Sequence, residues 1–204
     1  MRPLPRATLL ALGLSLLAPA GAAFGQITNE PVSPYPDPDK FARGIYSEAE
    51  IGAMVFIGDA GSSLGPGAVV GARLGYDLFR WVALQIHAVG STHTTSFPGM
   101  PQSGQLLQLY QGSAELKLSL RFGRVAISAM GGAGVGRLST NLLGTTGLTD
   151  PDVQNTLVTL GGLGADYHTM SRHFCFGLSG SFAKYQRLHT TGAISATAYV
   201  RYTF

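Results

Sequence analysis

The sequence predicts an all-β chain: an eight-stranded antiparallel up-and-down transmembrane β-barrel over residues 45–204. Three observations predict it. Apolar residues recur at every second position through that span, the side-chain period of a strand rather than a helix. The breaks between the alternating runs are by turns short and long. Charge is scarce, with 12% Asp, Glu, Lys and Arg in 204 residues, against about 25% in a soluble domain.

The first segment is not part of the fold. Arg2 and Arg6 precede an apolar run over residues 7–20, followed by small residues over 21–25. A basic start, a short apolar middle and small residues at the cut make a secretory signal peptide, residues 1–25. Cuts after Ala22 or Ala23 are the alternatives, and no Cys follows to receive a lipid. Residues 26–44 form a Pro-rich leader, in which Pro31, Pro34, Pro36 and Pro38 disfavour regular structure and favour an extended stub. No later window has the roughly 18–20 apolar residues that a membrane-spanning helix needs.

Each strand then shows two faces. Strand one, about 45–57, sets Ala49, Ile51, Ala53, Val55 and Ile57 against Glu48, Glu50 and Gly52. Strand two, about 67–77, sets Ala68, Val70, Ala72, Leu74 and Tyr76 against Gly71, Arg73, Gly75 and Asp77. Strand three, about 82–92, sets Val82, Leu84, Ile86 and Ala88 against Ala83, Gln85 and His87. Strand four, about 108–122, sets Tyr110, Ala114, Leu116, Leu118, Leu120 and Phe122 against Ser113, Glu115, Lys117, Ser119 and Arg121. Strand five, about 125–137, carries Val125, Ile127, Ala129, Ala133 and Val135 opposite Ser128, Met130, Gly132, Gly134 and Gly136. Strand six, about 156–167, has Leu157, Leu163, Ala165 and Tyr167 against Gly162, Gly164 and Asp166. Strand seven, about 173–184, has Phe174, Phe176, Leu178 and Phe182 against Cys175, Gly177, Ser179 and Ser181. Strand eight, 192–204, alternates Ile194, Ala196, Ala198, Val200, Tyr202 and Phe204 with Ser195, Thr197, Tyr199, Arg201 and Thr203.

A soluble barrel would show Lys and Glu on its polar face. Here that face is mostly Gly, Ser, Thr and Ala, while the apolar face carries no charge in mid-strand. Arg137 and Lys184 have apolar-face parity, but at loop-side strand ends where they can snorkel. Aromatics of the apolar face gather at one set of ends (Tyr76, Phe122, Tyr167, Phe174, Tyr202, Phe204), with Phe56, Tyr110 and Phe182 near the other. Two girdles mark a membrane-crossing barrel. Turns at 78–81, 123–124 and about 169–172 are tight; breaks near 58–66, 91–106, 138–155 and 185–191 are mostly longer.

The closing strand, ending Val200, Tyr202, Phe204, resembles the last strand of bacterial outer-membrane barrels. Residues 45–204 as a whole are similar to the small barrels of the OmpA-transmembrane, OmpX and OprF-like class. The resemblance implies location in the outer membrane and contact with its lipids. It also implies that the barrel-insertion machinery reads Phe204, Tyr202 and Val200, and that the short turns, and with them both termini, are periplasmic.

On the polar face, Glu48, Glu50, Asp77, Glu115 and Asp166 meet Arg73, Lys117, Arg121 and Arg201. Charges inside a barrel this narrow persist only when paired, so these nine residues are expected to form a lumen charge network rather than a pore. Gly132, Gly134, Gly136, Ser179 and Ser181 are expected to line the extracellular half, permitting tight strand coiling or a shallow cleft. No catalytic residues, cofactor site or metal site are expected. The lone Cys175 excludes an internal disulfide, the five histidines are scattered, and the Gly-rich runs at 131–136 and 161–164 lie inside strands rather than before a helix. A formal charge of +3 without a Lys/Arg run leaves no nucleic-acid footprint. Some barrels of this size modify lipid A. The His-x-Ser-Asn signature of the deacylases is absent, but His93 with Ser91, Ser96 and Asp150 or Asp152 could mimic a rim site of the palmitoyltransferase type.

The expected function is non-enzymatic: a structural or complex-assembly role in the cell envelope with protein partners. Gly-rich, short-looped barrels with Pro-rich leaders are also similar to barrel subunits of myxobacterial envelope and gliding-motility complexes, which implies a place in such a machine. The alternatives are a lipid A-modifying enzyme, a small surface adhesin or a narrow channel.

Overall fold

The structure, a computed structural model, describes residues 43–95, 106–138, 155–170, 173–188 and 191–204. The signal peptide 1–25 and nearly all of the leader 26–44 lie outside them. Eight strands follow in order: β1 (Ile45–Ile57), β2 (Leu64–Asp77), β3 (Val82–Thr95), β4 (Leu106–Phe122), β5 (Val125–Leu138), β6 (Asn155–His168), β7 (Phe174–Tyr185) and β8 (Gly192–Thr203). Each pairs antiparallel with the next, and β8 pairs with β1, so the sheet closes into a barrel. Closure leaves no unpaired edge for another chain to extend.

Strand alternation sets the two surfaces. Ile51, Leu120, Leu163 and Leu178 on the outside are each about two-thirds exposed, while Glu48, Glu115 and Lys117 inside are 4%, 3% and 2% exposed. This is an inverted protein, with an apolar exterior suited to hydrocarbon and buried charge. No helix among the described residues is long and apolar enough to cross a membrane, so any crossing is made by strands.

The strands are longer at the loop end than the sequence suggests. β2 starts at Leu64 because a register shift between Leu64 and Gly67 absorbs Pro66, which cannot donate to a regular ladder. β3 runs on through His93 to Thr95, so His93 belongs to a strand and not to the second loop. At the other end, Gly123 takes φ 62° in the two-residue hairpin that joins the Phe122–Val125 pair, where a side chain would be strained.

The lumen is filled in two layers. The half nearer the tight turns holds charged groups. The half nearer the long loops holds a cluster of apolar side chains, among them Met54, Phe56, Val69, Leu107, Leu109 and Tyr185. Two expectations are corrected here. Phe56 is 5% exposed and stands inside the apolar layer, not in an exterior girdle, because its even parity on β1 follows Glu48 and Glu50 inward. The loop half of the lumen is not lined by Gly and Ser: Ser179 and Ser181 lie deeper, bonded to Thr197 and Ser195. At Gly132 and Gly134 an added Cβ would run into backbone of the neighbouring strand. Of the two roles those glycines allowed, close strand approach is the one the structure shows.

Candidate functional site

The barrel's register places the charged layer. Glu48 lies opposite Arg73 on β2 and opposite Arg201 on β8; Gln85 lies opposite Glu115. Around Arg73, three carboxylates converge. Nη1 stands 2.5 Å from Glu50 and 3.5 Å from Glu48, and Nε 3.8 Å from Glu115. Lys117 Nζ lies 3.3 Å from Asp166 and 3.8 Å from Glu48. Arg201 pairs with Asp77 at 2.6 Å and lies over the Tyr46 ring, 3.5 Å from its centroid. Arg121 sits apart at the turn end, where Nη2 is 3.2 Å from His168 Nε2. The nine charged residues singled out in the sequence thus lie in one half of the lumen, with Arg121 also meeting a histidine.

The centre of the layer is a residue the charge count left out. His87 Nε2 is 2.7 Å from Glu50 Oε1 and its Nδ1 is 2.8 Å from Glu115 Oε1. A ring facing two carboxylates can donate to both only as imidazolium, and in that form it brings the cations level with the five carboxylates. Neutral groups add to the shell, while Glu48 Oε1 and Arg73 Nε are buried with an opposite charge nearby but no hydrogen-bond partner. Gln85 Nε2 donates to Glu115 at 2.6 Å, Ser113 to Glu115 at 2.9 Å, Thr197 to Glu50 at 3.1 Å, and the Tyr46 hydroxyl to Gln85 at 2.8 Å. The Tyr199 hydroxyl donates to Asp166. Inward parity placed Gln85, His87 and Tyr199 on the lumen face; only the cross-strand register shows that they share a level with the acids.

The arrangement binds itself. The lumen cavities resolved are about 20 Å³, between the charged and apolar layers, and about 30 Å³ at the turn-side mouth. Each has room for a water or two. Among the described residues no group of His, Cys, Asp and Glu could hold a metal.

The enzyme alternative centred on His93. Its Nε2 is 3.0 Å from Ser91 Oγ and its Nδ1 3.0 Å from the Gly65 carbonyl. This is the hydrogen-bond order of an activated serine. The pair, however, is sealed: His93 is 0% and Ser91 5% exposed, with the Phe56 ring edge-on to His93 at 4.7 Å. Among the described residues, Ser91 is thus closed off from solvent. Ser96, Asp150 and Asp152 lie outside the described residues. Cys175 is buried on the lumen face.

At the C-terminus, Tyr202 packs edge-on against both Phe174 and Phe204, each at 5.0 Å. Phe204 and Val200 point outward, 66% and 42% exposed, and the Phe204 N–H donates to the Ile45 carbonyl at 3.0 Å. The terminal aromatic thus finishes the seam that closes the barrel.

No protein-family profile matches the chain, and no curated protein sequence matches it. Solved structures do. Neisserial surface protein A aligns over 81% of this chain and 100% of its own, at 15% identity and TM-score 0.62. The N-terminal β-barrel domain of Pseudomonas aeruginosa OprF aligns over 80% and 99%, at 14% identity and TM-score 0.50. At such identities the likeness is one of fold. The chain has the closed eight-strand architecture of the small outer-membrane barrels.

Proposed function

We propose that this chain is a non-enzymatic outer-membrane component with a structural or complex-assembly role in the bacterial envelope. One observation carries the proposal: among the described residues, nearly all of the barrel's polar chemistry is spent on itself, with Glu48 Oε1, Arg73 Nε and Ser128 Oγ buried without a hydrogen-bond partner. Charge is matched inside the lumen, and the one Ser–His pair is sealed under an aromatic. Function then rests with what the rigid scaffold presents, namely its exterior, its loops and the leader. The apolar exterior and the fold support insertion in the outer membrane, with the tight turns and both termini toward the periplasm. There the Pro-rich leader 26–44 is the segment offered to envelope partners, at low ordering cost because prolines pre-extend it. A subunit of an envelope-spanning machine, such as a gliding-motility complex, is the specific form of this role.

Deleting residues 28–42 is expected to leave a barrel that fractionates with the outer membrane and migrates differently boiled and unboiled, while co-purifying envelope proteins are lost. Retention of the same partners would sink the leader's role, and recovery of identical, soluble periplasmic species would sink the membrane assignment. A steady large conductance from the purified protein in a planar bilayer would instead make it a channel. A His93-dependent change in lipid A acylation would make it an enzyme.

The terminal aromatics are proposed to serve as the insertion signal read by the barrel-insertion machinery. Removing Phe204 should reduce the assembled, heat-modifiable form and raise periplasmic degradation. Unchanged outer-membrane levels would confine Phe204 to the packing described above.

A further inference from the structure

Phe79 and Trp81, in the link between β2 and β3, stand at the mouth of the lumen rather than on the lipid-facing wall. Each is more than half exposed, and the rings stack, with centroids 6.2 Å apart and planes 20° from parallel. Odd positions of β3 point into the lumen, as buried Ala83 and Gln85 show. Trp81 keeps that parity and still belongs to the ladder, since its carbonyl accepts the Ser119 N–H at 2.9 Å. The Phe79 N–H donates to the Val82 carbonyl at 3.0 Å, which holds the second ring in place. Both side chains line the small cavity at the turn-side mouth. They form an aromatic shelf with no occupant among the described residues.

The chain enters the barrel at the same place. The Gly44 carbonyl accepts the Asp77 N–H at 3.0 Å, and Arg43, the first described residue, lines the mouth together with Phe79 and Trp81. Gly44 takes φ 142°, a conformation that residues with a side chain rarely adopt. A Cβ there would meet nothing within 4 Å, so the glycine answers to backbone direction and not to crowding. Its positive φ breaks the line of β1 and leaves Arg43 at the mouth. Cations outnumber acids at this end. Arg43, Arg80 and Arg124 are exposed and Arg121 is half-buried. The two carboxylates that line the mouth are already engaged, Asp77 by Arg201 at 2.6 Å and Asp166 by Lys117 at 3.3 Å.

We infer that residues 36–42, which precede Arg43 and lie outside the described residues, dock back on this shelf and cap the turn-side mouth, with Pro36 and Pro38 against the Phe79–Trp81 stack and Asp39 toward the exposed arginines. The run Pro36-Asp37-Pro38-Asp39 suits both parts of the surface. Proline-rich segments dock on aromatic walls at low entropic cost, because the prolines hold them extended beforehand. With three residues per turn of such a segment, Pro36 and Asp39 share one edge and Pro38 occupies a second. Two prolines and Asp39 can therefore face the shelf together, while Asp37 stands on the third edge. Asp39 and Asp37 are the first carboxylates upstream of the barrel, and Lys40 offsets one of them. Reach is sufficient, since the five residues from Pro38 to Ala42 span about 15 Å when extended in this way. Tethering makes a weak contact suffice. A short linker gives an effective concentration on the order of 1 mM, so an affinity of about 0.1 mM would keep the segment docked roughly nine-tenths of the time. The inference depends neither on the leader's proposed partners nor on the outer-membrane assignment, because it concerns contacts within one chain.

Trp81 is the one tryptophan of the chain, so its fluorescence reads the shelf directly. The full mature chain, refolded in detergent, is compared with a variant lacking residues 26–40 by emission maximum and acrylamide quenching. The deletion is expected to shift the emission to the red and raise the quenching constant severalfold, as a shielded indole becomes wet. Pro36→Ser combined with Pro38→Ser should act in the same direction, as should Asp39→Asn, whereas Asp37→Asn should change little. All eight strands begin after the altered segment, so heat-modifiable mobility should persist and show that each barrel is intact. A peptide of residues 36–42, added to the deletion variant at about millimolar concentration, should restore the shielding. Equal quenching of the full chain and the deletion variant would overturn the dock. Strong quenching in both would leave the shelf to another protein, and weak quenching in both would place it in the detergent belt as a membrane anchor. No shielding by the peptide would overturn direct contact, and an effect of Asp37→Asn as large as that of Asp39→Asn would overturn the placement.

Discussion

Arg73→Ala is expected to lower the unfolding free energy by about 3–5 kcal/mol, the range for stranding a buried charge. Urea titration of the refolded protein in lipid vesicles would measure it. Arg73 is 5% exposed and is the one group within ion-pair distance of Glu48, Glu50 and Glu115 together. Without it, Glu50 and Glu115 face each other across His87 alone, in an enclosure too small to admit a hydration shell. The size of the effect reflects the stranded acids, not the worth of the pair, since taking charges out of water costs nearly as much as their attraction returns. Glu50→Gln should therefore partly rescue Arg73→Ala, with a coupling of roughly 0.5–3 kcal/mol between the two sites. A loss below about 1 kcal/mol, with no coupling, would mean that the layer is solvated and that the lumen is more open than its cavities of about 20 and 30 Å³ indicate.

The separation of the two faces was legible in the sequence because parity alone decides which way a strand residue points. That is why Glu48, Arg73, Glu115 and Arg201 could be assigned to the lumen before any pairing was known. Height along the barrel was not legible. It depends on how eight strands are staggered against one another, a long-range property that no single strand encodes. So His87, on the right face but grouped with neutral neighbours, was not seen to stand between Glu50 and Glu115. Met54, Phe56, Leu107 and Leu109 share parity with polar residues, yet the register stacks them into a separate apolar layer. His93 illustrates the same limit. The Gly-, Ser- and Thr-rich stretch around it has the composition of a loop, but its β-branched threonines alternate with inward Ser91 and His93, and in a closed barrel a neighbouring strand is always there to extend the ladder.

Gly134→Val should prevent assembly of the barrel or cost well beyond the roughly 1–3 kcal/mol typical of overpacking side chains, while Gly112→Val should be nearly neutral or slightly stabilising. Both are glycines on paired strands, each one residue from the other's partner, since Gly112 lies opposite Val135 and Gly134 opposite Ser113. They differ in what a Cβ would meet. At Gly134 it would enter the Gly112 carbonyl and the Ser113 backbone, and neither can rotate away as a side chain would. The two strands must move apart, and each ångström of movement weakens the ladder that a closed barrel cannot re-form elsewhere. At Gly112 the same atom enters open space on the outer face, and the β-branched residue restricts the unfolded chain without opposing the folded one. Heat-modifiable mobility and urea midpoints of the two variants, refolded side by side, would read the contrast. Equal effects at the two positions would mean that the strands do not approach as closely as the inward glycine requires, and that Gly134 is small for a reason other than contact.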